Sequence, residues 1–186
     1  MPFEIVKITK RVVARQEIEA SIDLFLTRSS FIAANVLAWA AVDVLRSTIE
    51  AQGKPTLRSI VEKTIRPDKI DFWRKIERAS YTYSKHADRD PEDDHDFHPE
   101  AVSFVLFTAI ADYGTAYSQS TIVMNIFRAW MMAMYPDLFL GPVKIQSAAF
   151  RNLFSIKEGS TFEESLKPAT NLYRACQERP AEFLKS

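Results

Sequence analysis

The segment 31–52 sets the terms for this chain. At about 100° per residue, Phe31, Asn35, Ala38, Val42, Leu45 and Ile49 fall on one stripe of a helix. The other faces are also apolar or small, carrying Ala33, Leu37, Ala40, Ala41 and Val44. A helix that is hydrophobic all round belongs at the centre of a protein, and its alanines let neighbouring helices come close. The longest apolar runs, 31–42 and 101–111, are both well short of the roughly 20 residues that cross a bilayer. Both therefore predict buried helices and no membrane span. Asn35 and Asp43 are left with few places to go. Asp43 falls near Ile32, Val36 and Trp39 on the wheel, so it needs a partner or a raised pKa. An Arg or Lys from the first or fourth helix is the expected partner.

The rest of the chain reads as helices around that centre. Only 4 glycines occur in 186 residues, and strand-like alternation is scarce. A first amphipathic helix is predicted over 8–27, with Val12, Ile18, Ile22 and Phe25 or Leu26 inward. Ser29 or Ser30 is the expected cap of the second helix, which Gly53 and Pro55 stop. A third helix is expected over 56–66, ended by Pro67, and a fourth over 69–87. On the fourth, Phe72, Ile76, Ala79 and Tyr83 form the inward stripe, continued by His86. Arg74, Arg78 and Lys85, with Tyr81 beside them, fall on the opposite face. Pro99 and Glu100 suit the first turn of a fifth helix, which ends near Gly114. A sixth covers 121–135, with Asp112 and Arg128 placed to pair across the hairpin. Its Met124, Met131, Met132 and Met134 read either as core filler or as a dimer seam. After a link at 137–142, two helices close the chain, 144–155 and 161–177, the last opened by a capping box of Ser160 with Glu163. No repeat and no second-domain linker appears. The expected fold is all-α: a single domain, 1–186, forming a bundle of six to eight helices with the second and fifth at its centre.

Charge and cysteine content narrow the setting. Lys plus Arg and Asp plus Glu number 24 each, so no global field draws in nucleic acid or a membrane surface. Cys176 is the lone cysteine, which fits a reducing cytoplasm. The first residues lack the apolar core of a signal peptide.

Chemistry concentrates in the segment 84–100. It holds all 3 histidines, His86, His95 and His98, among Asp88, Asp90, Glu92, Asp93, Asp94, Asp96 and Glu100. His86, Asp88, Asp90, His95 and His98 are ligand types that hold a divalent metal. The metal motifs with fixed spacing are absent: there is no H-E-x-x-H, and an EF-hand counted from Asp88 has Asp93 where glycine is required. The other reading is a solvated acidic loop that caps its flanking helices. His86 is also a candidate acid–base group. It stands at the negative end of a helix beside Asp88 and Asp90, where Asp43 would orient it if the two meet. The stripe of Arg74, Arg78, Lys85 and Tyr81 interleaves cations with an aromatic, a pattern that takes phosphates or a stacked base. It is also what an exposed helix face looks like.

An alanine-rich central helix, then a helix ending in Lys85-His86, then an apolar helix resembles the HEPN-type helical bundles over about 30–118. The resemblance implies a homodimer that meets RNA or a protein partner, in a toxin–antitoxin or defence setting, without a metal cofactor. It also implies a site in which His86 moves protons and an arginine such as Arg78 steadies phosphate. The family motif places four to six residues between Arg and His; here 7 separate Arg78 from His86. The string Lys85-His86-Ala87-Asp88-Arg89-Asp90-Pro91 is similar to one in uncharacterised bacterial helical proteins. Three expectations follow: an RNA- or partner-binding module, a metal-dependent hydrolase-like site, or a non-enzymatic scaffold.

Overall fold

The computed structural model describes residues 6–85 and 97–180. Its helices are α1 (Lys10–Leu26), α2 (Phe31–Ala51), α3 (Leu57–Thr64), α4 (Ile70–Lys85), α5 (Pro99–Tyr117), α6 (Ile122–Met134), α7 (Gly141–Leu153) and α8 (Phe162–Glu178). Among the described residues there is no strand, only a single antiparallel bridge between Ile65 and Phe139. The all-α bundle expected from the periodicity is what the chain forms.

Hydroxyl caps start most of these helices. Thr9, Ser30, Thr56, Thr121 and Thr161 each accept a hydrogen bond from a backbone N–H of the first turn, satisfying donors that a helix cannot bond internally. The capping box of α8 lies one residue beyond the expected pair. Thr161 takes the Glu164 N–H and Glu164 reaches back to the Thr161 N–H. Ser160 instead accepts from the Lys157 N–H in the preceding turn. At the end of α2, Gly53 takes a left-handed φ of 63°, the position where glycine costs least. α5 runs through Gly114 to Tyr117, because Tyr113 and Ala116 still have core to cover. α7 starts earlier than expected, at Gly141.

The expected centre is the observed one. α2 packs on α1 and α5, and all the described helices contribute to one apolar core. α5 is buried almost all round from Ala101 to Ile110. α2 is long and apolar enough to cross a membrane by length and composition, yet Ala34, Ala38, Val42, Leu45 and Ile49 are packed inside the bundle. Its far face is less enclosed than the sequence suggested, since Ile32 and Val36 remain half exposed. Met124, Met131 and Met132 fill the protein's own core.

An aromatic cluster locks one end. Phe25 meets Phe31 and Phe127 edge-on, each with ring centroids 5.4 Å apart, and also touches Trp130 and Phe162. Trp130 donates its indole N–H to the Ser165 carbonyl at 2.9 Å. Thr170 of α8 donates to the Leu26 carbonyl at 2.7 Å, closing α8 over α1. The 136–140 link lies over the core, burying Leu138 and Phe139.

On α4 the expected inward stripe is met in part: Ile76 packs against the core and Phe72 meets Phe104 edge-on, while the side chains of Ala79 and Tyr83 lie outside the described residues. α4 turns Trp73 and Glu77 inward and leaves Phe72 48% exposed. The reason is the partner surface: Trp73 packs edge-on against Phe104 at 4.9 Å and also meets Phe107. Replacing Phe25 by Ala is expected to cost about 3–5 kcal/mol in urea denaturation, and Phe72→Ala about 1 kcal/mol or less. Equal losses from the two variants would contradict the half-exposed placement of Phe72.

Candidate functional site

A cavity of about 400 Å³ opens where α2, α3 and α4 meet, lined by Trp39, Arg46, Arg58, Val61, Trp73, Arg74 and Glu77. Each element brings its residues there for a separable reason. On α2, Trp39 and Arg46 lie two helical turns apart on one face. On α3, the Thr56 cap fixes the first turn, so Arg58 and Val61 project together. On α4, the turn that buries Trp73 also buries Glu77 four residues later.

Glu77 is 1% exposed, and its Oε2 accepts from the Arg58 Nε at 2.8 Å, with Arg58 itself 38% exposed. The Arg58 guanidinium stands over Trp39, 5.6 Å from the ring centroid, a cation–π geometry. Among the described residues its two terminal nitrogens have no hydrogen-bond partner, since only Nε is engaged. Arg46 makes a loose contact with Asp43 at 3.8 Å. Trp39 and Trp73 are almost wholly buried, so they act as walls that exclude water rather than as open stacking platforms.

Behind Glu77 lies a second carboxylate. Asp112 of α5 is buried, and its Oδ1 accepts the Leu57 N–H, the first of α3, at 2.6 Å. The first turn of α3 is therefore held twice, by Asp112 at Leu57 and by Glu77 at Arg58. Thr108, one turn before Asp112, gives its hydroxyl proton to the Phe104 carbonyl at 3.0 Å and lies 3.5 Å from Glu77 Oε1. Burial pushes the Asp112 carboxyl up to about 6; the Leu57 hydrogen bond opposes this, the charge of Glu77 adds to it, and Arg46 and Arg58 draw it back. Burial also raises Glu77, against the pull of Arg58.

The residues singled out in the sequence fall in three groups. Arg74 lines this cavity. Asp43 is half exposed, with Arg46 of its own helix 3.8 Å away. His98 is at the N-cap of α5 and is exposed, without a side-chain capping bond. His86, Asp88, Asp90 and His95 lie outside the described residues, as do the side chains of Arg78, Tyr81 and Lys85. Among the described residues no group of His, Cys, Asp and Glu is arranged to hold a metal ion. The expected Asp112–Arg128 pair does not form: Asp112 is turned to Leu57, and Arg128 donates to Asn125. Arg46, Arg58 and Glu77 were missed. Starting the α4 stripe from Trp73, the bulkiest apolar side chain there, places Glu77 on the buried face.

Compared with known proteins, the chain matches no family model, no curated protein and no solved structure.

Asp112 gives a test of that geometry. Its folded pKa of about 6 lies above the model-compound value of 3.8, so between those limits the native chain keeps a proton that the unfolded chain has released. Its contribution is fully present below about pH 4 and is lost as pH rises through about 6, by at most about 3 kcal/mol. Asp112→Asn keeps an acceptor for Leu57 and removes the titration. The difference in melting temperature between wild type and variant is expected to shift in the variant's favour from pH 4 to pH 7. A difference that stays constant over that range contradicts the burial of this carboxyl.

Proposed function

We propose that the protein binds an anionic ligand, with the phosphates of RNA as the expected source, in the cavity between α2, α3 and α4. The observation that carries this is Arg58. Its Nε is anchored by a carboxylate 1% exposed, while its terminal nitrogens are unengaged among the described residues. Guanidinium is the side chain best matched to phosphate, because its planar fork donates two parallel hydrogen bonds. Arg46 and Arg74 add cations on the same cavity, and the indole walls lower the local dielectric, which strengthens charged hydrogen bonds. The cavity volume is in the range of small-ligand sites, so a nucleotide or one end of an RNA strand is the fitting size.

The same proposal carries the HEPN-like reading: a homodimeric, bacterial, cytoplasmic protein in which Arg74 contacts RNA. The lone, buried Cys176 is compatible with a reducing compartment.

Fluorescence anisotropy with a labelled single-stranded oligouridylate at low salt tests the proposal. Binding is expected to weaken with salt. Arg46→Ala and Arg58→Lys are each expected to weaken it roughly tenfold or more, the worth of one charge-assisted hydrogen bond. Arg58→Lys keeps the charge and loses the fork. Lys144→Ala, on α7, serves as the control. Competition by adenosine monophosphate would identify a free nucleotide as sufficient, and its failure would point to the strand. No binding at low salt, or binding by both arginine variants as tight as that of the wild type, rules the proposal out.

A further inference from the structure

We infer that anion binding in this cavity is coupled to proton uptake by the buried carboxyl of Asp112, which lies behind Glu77, so that the site tightens as the medium is acidified. The inference rests on the anion-site reading and adds its control.

Among the described residues, Arg46, Arg58 and Arg74 line the cavity together with Glu77, Asp43 stands beside Arg46 and Asp112 lies behind, so ionised carboxylates offset the arginine charge. An anion entering such a site meets the field of buried carboxylates as well as that of the arginines. Protonating one carboxylate leaves one cation uncancelled. The two carboxylates differ in what they can release. Glu77 is paired with Arg58 at 2.8 Å, which favours its charged form. Asp112 has no cation within salt-bridge distance among the described residues; its bond is to a backbone N–H, which either protonation state can accept.

The charged groups that act on Asp112 come from each neighbour: Glu77 from α4, Arg46 from α2 and Arg58 from α3. Lys54, in the turn between α2 and α3, donates to the Thr115 carbonyl at 2.9 Å, one turn further along α5. Burial already pushes Asp112 up to about 6. A bound anion engaging Arg46 and Arg58 weakens the two cations that hold it down and adds a like charge nearby. Both effects favour the protonated acid. By linkage, whatever raises the proton affinity on binding must tighten binding when protons are abundant. The proton comes from bulk solvent, and only an O–H bond is formed.

The test uses the full chain and a labelled oligouridylate, whose phosphodiesters and bases do not titrate between pH 5 and 8. At constant ionic strength, Kd is expected to fall roughly three- to tenfold from pH 7.5 to pH 5; linkage of one proton allows no more than about tenfold per pH unit. Titration calorimetry of the wild type at pH 6, in two buffers of different ionisation enthalpy, is expected to show net proton uptake. Asp112→Asn is expected to abolish both signals; if that variant does not fold, the wild-type calorimetry decides. A pH-independent Kd without a buffer-dependent heat overturns the coupling and leaves the anion site standing. An Asp112→Asn protein that keeps the wild-type pH dependence also overturns it. Absence of binding at every pH removes the anion site and the coupling together.

Discussion

α2 and α5 are apolar on most of their surface, and such helices are stable in water only when other helices enclose them. The remaining elements form that enclosure. α1 folds back along α2, where the Ser21 hydroxyl donates to the Ala34 carbonyl at 2.6 Å. α4 runs beside α5 in the same sense, with Trp73 at Phe104 and Glu77 at Thr108. α6 and α8 close the opposite side through Trp130 and the Phe25 cluster. The alanines of α2 matter here, because they allow neighbours to approach its backbone closely. The enclosure is thinnest near Ile32 and Val36, at the N-terminal half of α2.

Enclosure makes every interior polar group a cost unless it is bonded. The hydroxyls meet this requirement on backbone carbonyls: Thr108 and Ser147 donate within their own helices and Ser21 donates across to Ala34 of α2. Carboxylates cannot do so, since they only accept when ionised. Glu77 and Asp112 solve the problem through α3, a short helix whose first turn supplies one N–H and one guanidinium. That arrangement explains how an eight-residue helix keeps its place at the edge of the bundle. It also explains why the cavity forms there: the side chains that hold α3 are charged, and they do not close-pack as the core does.

Much of this was legible from pattern. The helices, their hydroxyl caps and the central place of α2 and α5 follow from apolar spacing and from Ser or Thr at the starts. The phase of α4 did not follow. Phe72 and Trp73 are adjacent and both apolar, so periodicity alone does not say which faces inward; the shape of the α5 surface at Phe104 and Phe107 does. Choosing Phe72 put Glu77 outside and hid the site. The Asp112–Arg128 pair failed for a related reason. Opposite charges close in sequence are plausible partners, but the Leu57 N–H, 55 positions away from Asp112, was the nearer donor. The box at Thr161 was misread by one residue because Ser160 and Thr161 are both good caps and Glu163 and Glu164 are both good partners.

The form of the Glu77–Arg58 pair separates a structural role from a binding one. A buried ion pair is weak evidence for stability, since well-packed apolar residues often serve as well or better. Were neutralising Glu77 the whole task, the economical solution is an arginine buried with its remaining donors satisfied by the protein. Arg58 is instead 38% exposed and, among the described residues, hydrogen-bonded only through Nε. Its terminal nitrogens are left toward a cavity that Arg46 and Arg74 also line. On the proposed reading, the carboxylate limits the motion of the guanidinium and leaves its fork for an anion, which would reduce the entropy lost on binding. Local choices that cost stability and leave binding groups unspent concentrate at sites of function. Among the described residues, the first turn of α3 is where this chain makes that choice.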